Sequence, residues 1–88
     1  MEYKIEHLKA KNSFGINLGD DWAVVEYVVT DNTFDIIHTI VPKAYSGQGI
    51  AGKLVTAAYT YAKEQGYRLQ GSCSYAETWL MRHPDFLV

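Results

Sequence analysis

The polar and apolar positions change period once along the chain. Through the first half they alternate. Met1 to Leu8 sets Tyr3, Ile5 and His7 on one side. Lys9 to Ser13 is polar and turn-like, and Phe14, Ile16 and Leu18 alternate again. Gly19-Asp20-Asp21 reads as a turn. Trp22 to Thr30, rich in β-branched and aromatic residues, predicts the strongest strand. Asp31-Asn32 is a hairpin pair whose side chains tolerate left-handed backbone. Thr33 to Val41 follows as a strand, with Phe34, Ile36, His38 and Ile40 on one face and Ile37, Thr39 and Val41 on the other. Apolar residues on both faces predict a central strand covered on both sides.

The period then lengthens. Pro42 cannot donate to a ladder and ends the strand. Lys43 to Gly49 forms a loop, and Ile50 to Gln65 predicts one helix. Its apolar stripe is Ala51, Leu54, Val55, Ala58, Tyr61 and Ala62. Gly66 suits the left-handed residue after a helix end. Tyr67 to Ser72 or Cys73 reads as a strand, and Tyr75 to Met81 as a short helix broken by Pro84. Phe86-Leu87-Val88 reads as a final short strand or packed tail. Trp22 and the strand tyrosines are expected in the core, and His7 and His83 at the surface or tail. The order predicts an α+β fold in a single domain over residues 1–88: an antiparallel meander, a β-loop-α-β unit and a short C-terminal helix.

Length and composition narrow the function classes. With 88 residues there is no room for a full barrel or a complete doubly wound sheet. A hydrophobic content of 48% and an aromatic content of 14% describe an ordered globular chain. The net charge is −2, with charges scattered and no basic run, which argues against a nucleic-acid partner. Neither an apolar leader, a membrane-length apolar run nor a cationic amphipathic helix is present in the sequence, so no membrane association is expected. One cysteine, Cys73, excludes an internal disulfide framework and suits a reducing, cytoplasmic setting. One Cys and three dispersed His make no metal site.

The most informative stretch is Val41-Pro42-Lys43-Ala44-Tyr45-Ser46-Gly47-Gln48-Gly49-Ile50-Ala51-Gly52-Lys53-Leu54. A strand feeds a glycine-rich loop that opens a helix. The first amides of a helix lack partners and its dipole favours an anion, so a phosphate-bearing ligand is the natural inference. The plain alternative is an ordinary strand-to-helix connection. Two familiar patterns match and fail. Gly47, Gly49 and Gly52 spell G-x-G-x-x-G, but five residues separate Val41 from Gly47 and only one strand follows the helix. Gly47 to Lys53 spells G-x-x-x-x-G-K, but Leu54 stands where a magnesium-binding hydroxyl is needed.

A third pattern fits better. The segment resembles the coenzyme A pyrophosphate loop of the GNAT superfamily of acyl-CoA N-acyltransferases, of the form R/Q-x-x-G-x-G/A after a strand ending in Val-Pro. Gly49 and Ala51 match, and Ser46 stands where Arg or Gln is usual. After the next strand the family shows N-x-x-A-x-x-F/L-Y-x-x-x-G-F. Cys73, Ala76 and Trp79 fall on the Asn, Ala and aromatic positions, Phe86 lies near the final Phe, and Leu80 replaces the usual Tyr. The chain also resembles a minimal GNAT-like subgroup in His38-Thr39-Ile40-Val41-Pro42, Gly47 to Ala51, Cys73-Ser74-Tyr75 and His83-Pro84-Asp85-Phe86.

The resemblance implies a mixed sheet with two splayed parallel strands and acetyl-CoA or coenzyme A between them. Thr39, Ile40 and Val41 would meet the pantetheine arm through their backbone. Gly47, Gln48, Gly49, Ile50, Ala51 and Gly52 would hold the pyrophosphate. Ser74, Tyr75 and Trp79 would line the coenzyme or acceptor pocket, or simply pack. The family's usual tyrosine acid is missing at Leu80. Cys73 would be a nucleophile, a lining residue or a small buried hydrophobe. His38 would be a base, a partner of Cys73 or a hydrogen-bonded strand residue. Other members build acceptor specificity from two helices between the first strands. Only Lys9 to Ser13 stands there, so an open, shallow acceptor site is expected. The implied function is acetyl transfer to a small or peptidyl amine by a monomer. Coenzyme A binding without turnover and a ligand-free scaffold are the alternatives.

Overall fold

The computed structural model describes residues 3–87, so Met1, Glu2 and Val88 lie outside the described residues, and with them the ends of the expected first strand and tail. Strands β1 (Ile5–Leu8), β2 (Ser13–Asn17), β3 (Trp22–Thr30) and β4 (Thr33–Ile40) precede helix α1 (Ile50–Glu64), strand β5 (Arg68–Gly71) and helix α2 (Ser74–Arg82). Short 3-10 turns cover Lys9–Lys11, Lys43–Tyr45 and Pro84–Leu87. Of the short strand or packed tail expected around Phe86, the structure shows the packed tail, as a 3-10 turn. Phe86 packs edge-on against Trp79, with ring centroids 4.9 Å apart.

The sheet runs β1-β2-β3-β4-β5 in sequence order. All pairs are antiparallel except β4–β5, joined in parallel through the α1 crossover. Asp31 and Asn32 have φ of 50° and 63°, the double left-handed turn that matches the twist of a two-residue hairpin. Helix α1 ends as Gly66 predicts. The Gly66 amide donates to the Lys63 carbonyl at 3.1 Å and the Tyr67 amide to that of Ala62 at 3.0 Å, which satisfies two orphan carbonyls.

The core joins Phe14, Ile16, Ala23, Val25, Tyr27, Phe34 and Ile36 of the sheet to buried residues of both helices. The buried face of α1 differs from the expected stripe. Tyr59 is fully buried, whereas Ala51 and Tyr61 are only partly covered. The shift follows from α2, whose Trp79 lies 5.5 Å from the Tyr59 ring.

Three expectations need correction. First, β4 does not keep one apolar face. Glu26 pairs with His38 but Tyr27 pairs with Ile36, so Ile37 is an extra residue in a β-bulge. The bulge moves His38 and Ile40 to the open face and brings Thr39, opposite the buried Val25, to the helix face. Second, β4 is covered on one side only, because both helices pack on the same face. The other face leaves Val28 and Ile40 exposed. Third, Trp22 is 37% exposed. Its indole lies over Gly15, where a Cβ would sit 3.0 Å from the ring, so Gly15 makes room for it.

His7 is half-buried rather than a surface residue. Its ring stacks on Phe14 at 4.0 Å, meets Tyr61 edge-on at 4.5 Å, and its Nε2 lies 2.7 Å from the Tyr27 hydroxyl. Burial, then the Lys9 charge, lowers its pKa below 6.5. The unfolded chain therefore binds this proton more readily than the folded one. The contribution is complete above 6.5 and is lost as pH falls from there through the folded value. Urea midpoints measured across that window should fall with pH, and a His7→Phe variant should lose the part of the slope due to His7.

Gly71 ends β5 where α2 comes closest. A Cβ there would lie 2.7 Å from the Glu77 amide nitrogen and 2.8 Å from the Ala76 carbonyl carbon, both backbone atoms that cannot swing aside. Gly71→Ala should cost about 1–3 kcal/mol of stability in urea unfolding, the usual scale of overpacking. A change below about 0.5 kcal/mol contradicts the close packing of α2 on β5.

Candidate functional site

The site begins where the parallel ladder stops. β4 and β5 pair from Thr33–Arg68 to Ile36–Gly71 and no further. The Ile36 carbonyl accepts the amides of both Ser72 and Cys73 at 3.1 Å. Beyond it β5 turns away into α2, while β4 continues to Ile40 with β3 on one side only. The result is a fork with Thr39 on one arm and Cys73 on the other. Their side chains meet across it, with the Cys73 thiol donating to Thr39 Oγ1 at 3.3 Å.

Cys73 also caps α2 in extended backbone. Burial pushes its thiol up, but hydrogen bonds to the thiolate from the Thr39 hydroxyl and from the Ala76 and Tyr75 amides outweigh it, so the pKa lies below the ordinary thiol value. The sequence offers no adjacent cation to do this. Folding supplies hydrogen bonds instead.

The glycine loop lies at the mouth of the fork. Gly47 and Gly49 take φ of 81° and 77°, where a side chain is strained, and Gly49 caps α1. The Lys53 amide is the first in α1 with a backbone partner, the Gly49 carbonyl at 3.1 Å. Among the described residues the amides of Ile50, Ala51 and Gly52 have none, no side chain caps them, and no acidic residue lies in that turn. A helix start of this kind suits an anion, and the chain's own side chains leave it open. Val41, Tyr45, Ser46, Gly47, Gly49, Ile50, Ala51 and Tyr75 enclose a cavity of about 310 Å³ beside it.

Neighbouring elements fix the loop. The Tyr3 hydroxyl donates to Gln48 Oε1 at 2.9 Å, and Ser46 Oγ donates to the Lys43 carbonyl at 2.9 Å. The buried side chains of Ile50 and Leu54 anchor the start of α1 in the core. Ile50 can therefore offer a ligand only its backbone. Tyr75 reaches across from α2, with its hydroxyl 3.3 Å from where a Gly52 Cβ would be.

Not every residue singled out in the sequence arrives here. His38 lies on the opposite face, beside Glu26, and is exposed; Thr39, not His38, meets Cys73. The Ile40 side chain also leaves the fork. Trp79 is 7% exposed and stacks on His83 at 3.9 Å, so it supports α2 from within. Ser74 and Tyr75 remain accessible and, with the exposed edge of Trp79, border a second groove, about 440 Å³, along α2. Leu80, in the place of a tyrosine acid, is buried in the core. The Tyr59 hydroxyl is no substitute. It donates to the Gln70 carbonyl at 2.6 Å, and burial, then the charges of Asp35 and Cys73, raise its pKa.

The arrangement has counterparts. A model of the GCN5-related N-acetyl-transferase family matches residues 13–87. The chain belongs to the GCN5-related N-acetyltransferase family. Protein NATD1 of Danio rerio is 35% identical over 96% of this chain and 81% of its own length. The human Protein NATD1 is 32% identical over 92% of this chain and 74% of its own. A GCN5-like protein from Staphylococcus aureus, solved by NMR in solution, superimposes with a TM-score of 0.72 at 29% identity. The match covers 94% of this chain and 82% of that one. The α+β fold expected from the sequence, with its mixed sheet and crossover, is thus the GNAT fold.

For this GNAT chain the thiol of Cys73 gives a direct reading of the fork. Thr39→Val keeps the shape and removes the hydroxyl. The pH midpoint for alkylation of Cys73 by iodoacetamide should rise by about half a unit to one unit. An unchanged midpoint contradicts the Thr39–Cys73 contact.

Proposed function

We propose that this chain is an acetyl-CoA-dependent N-acetyltransferase acting as a monomer on a small or peptidyl amine. The observation that carries the reading is the fork between β4 and β5 with an uncapped amide cradle at its mouth. The residues present fit coenzyme A. Amides from Gly47 to Gly52 suit a pyrophosphate, the end of β4 and the next residue, from Thr39 to Val41, offer backbone groups to a pantetheine arm, and Tyr75 walls the passage. Ser74 forms the rim. His38, on the far face, has no part in the reading.

When bound, acetyl-CoA supplies an activated acetyl thioester. In this reading, supported by a thiol held at the fork by Thr39, Cys73 receives it. Its sulfur, as thiolate, forms a bond to the acetyl carbon while the bond to the coenzyme sulfur breaks, and the departing thiolate takes up the proton that Cys73 released. The acceptor amine, arriving neutral, then displaces the Cys73 sulfur to form the amide, and its surplus proton returns to that sulfur. Backbone amides at the start of α2 stabilise negative charge at both stages. A free thiol with this role needs a reducing compartment, which suits a cytoplasmic location.

A second reading rests on Leu80, whose burial leaves no tyrosine acid. The chain would then hold coenzyme A with little turnover. One experiment on the intact protein separates the two. Incubation with acetyl-CoA should give a mass gain of about 42 Da, one acetyl group, on Cys73, and Cys73→Ala should abolish turnover. Binding without the gain, or unchanged turnover in Cys73→Ala, removes the covalent route. For the cradle, Gly49→Val should weaken coenzyme A binding at least about tenfold in calorimetry, since φ of 77° is strained for valine. Unchanged affinity contradicts the pyrophosphate assignment.

A further inference from the structure

Where two parallel strands part, the backbone donors that would have continued the ladder need other acceptors. Asp35 provides one. Its Oδ1 accepts the Ser72 amide at 2.8 Å, and its Oδ2 accepts the Ser72 hydroxyl at 2.7 Å and Gln70 Nε2 at 3.1 Å. The Ser72 amide is thereby shared between the Asp35 carboxylate and the Ile36 carbonyl. Asp35 pairs across the sheet with Val28 and Gln70, on the open face. It lies outside the cleft and grips the peptide that leads into Cys73.

We propose that Asp35 is a positioning residue whose carboxylate fixes the fork between β4 and β5, and with it the placement of Cys73 against Thr39. The inference rests on reading that fork as the acetyl-coenzyme site. A carboxylate suits the task because it only accepts hydrogen bonds and has two oxygens for three donors. An asparagine would turn an NH₂ towards one of those donors. Ser72 is the link: both of its donors end on Asp35, and the next residue is the cap of α2.

Position and charge predict opposite outcomes when Asp35 is removed. A negative charge near a thiol raises its pKa, so losing the charge alone would lower the Cys73 value. Losing the position moves Cys73 away from the Thr39 hydroxyl and the helix amides, which raises it. The other titratable groups nearby are Tyr59, whose pKa responds to both Asp35 and Cys73, and Glu77 in the first turn of α2.

The test is the pH profile of Cys73 alkylation by iodoacetamide in the intact protein, with thermal melting of each variant and calorimetric titration of coenzyme A. Asp35→Ala should raise the midpoint by about half a unit to one unit at temperatures well below its melting point. Asp35→Asn should give a smaller rise. Coenzyme A affinity should fall roughly fivefold or more in Asp35→Ala as the cleft loosens. A midpoint that falls or stays fixed overturns the proposal, whatever the loss of thermal stability. If Asp35→Ala does not fold, Ser72→Ala carries the test. It removes one hydrogen bond of 2.7 Å, and it should raise the midpoint; no rise overturns the proposal. The thiol readout needs no ligand. If the wild-type protein fails to bind coenzyme A, the acetyltransferase reading falls while the alkylation profile still decides the role of Asp35.

Discussion

The Ile36 carbonyl is the last rung of the parallel ladder, and the site depends on what happens just past it. It takes two amides, from Ser72 and Cys73, where a continuing strand would present one. That double acceptance ends β5 and starts α2 within two residues. Gly71 allows the helix to begin this close, since any Cβ would strike the α2 backbone. The bulge at Ile37 completes the break from the other arm by turning Thr39 towards the helices. The fork is therefore built by backbone constraints, and the side chains within it inherit their positions.

The loop and the mouth of the fork border one cavity, with Val41 on one arm and Tyr75 on the other beside the start of α1. Ile50, Leu54 and Val55 fix the helix start in the core, so the open amides cannot drift from the cleft. Gly47 and Gly49 make the turn that brings them there. Donors held in place before a ligand arrives would give up little freedom on binding. Cys73 gains from the same economy. Hydrogen bonds from the Thr39 hydroxyl and from amides at a helix start lower its pKa without a buried cation, which would itself need desolvation and a partner.

The elements were largely legible in the sequence, and the facing was not. Trp22–Thr30 and the helix from Ile50 follow their patterns, because alternation and helical spacing report local burial. Gly66 and Asp31-Asn32 sit in the turns their chemistry predicts. The position of His38 was hidden because one extra residue in β4 inverts every side chain after it. Nothing local in Phe34 to Ile40 signals that insertion; it shows only in the register against β3. Tyr59 falls outside the narrow stripe because its burial depends on α2, an element 15 residues further along. Trp22 reads as core by type, yet it lies on an uncovered face over Gly15. The glycine loop was legible as a turn into α1 because its positive backbone angles leave glycines behind. Asp35 was not, since its role depends on where two strands separate.

The proposed function rests on a coenzyme's pantetheine arm lying in the fork, beside the Thr39–Cys73 contact that bridges its two arms. Intermolecular NOEs between coenzyme A and the ¹³C-labelled protein test it most directly. NOEs are expected from pantetheine methylene protons to the Thr39 methyl group and the Cys73 β-protons. NOEs confined to Ser74, Thr78 and Arg82 along the outer groove of α2 would contradict it.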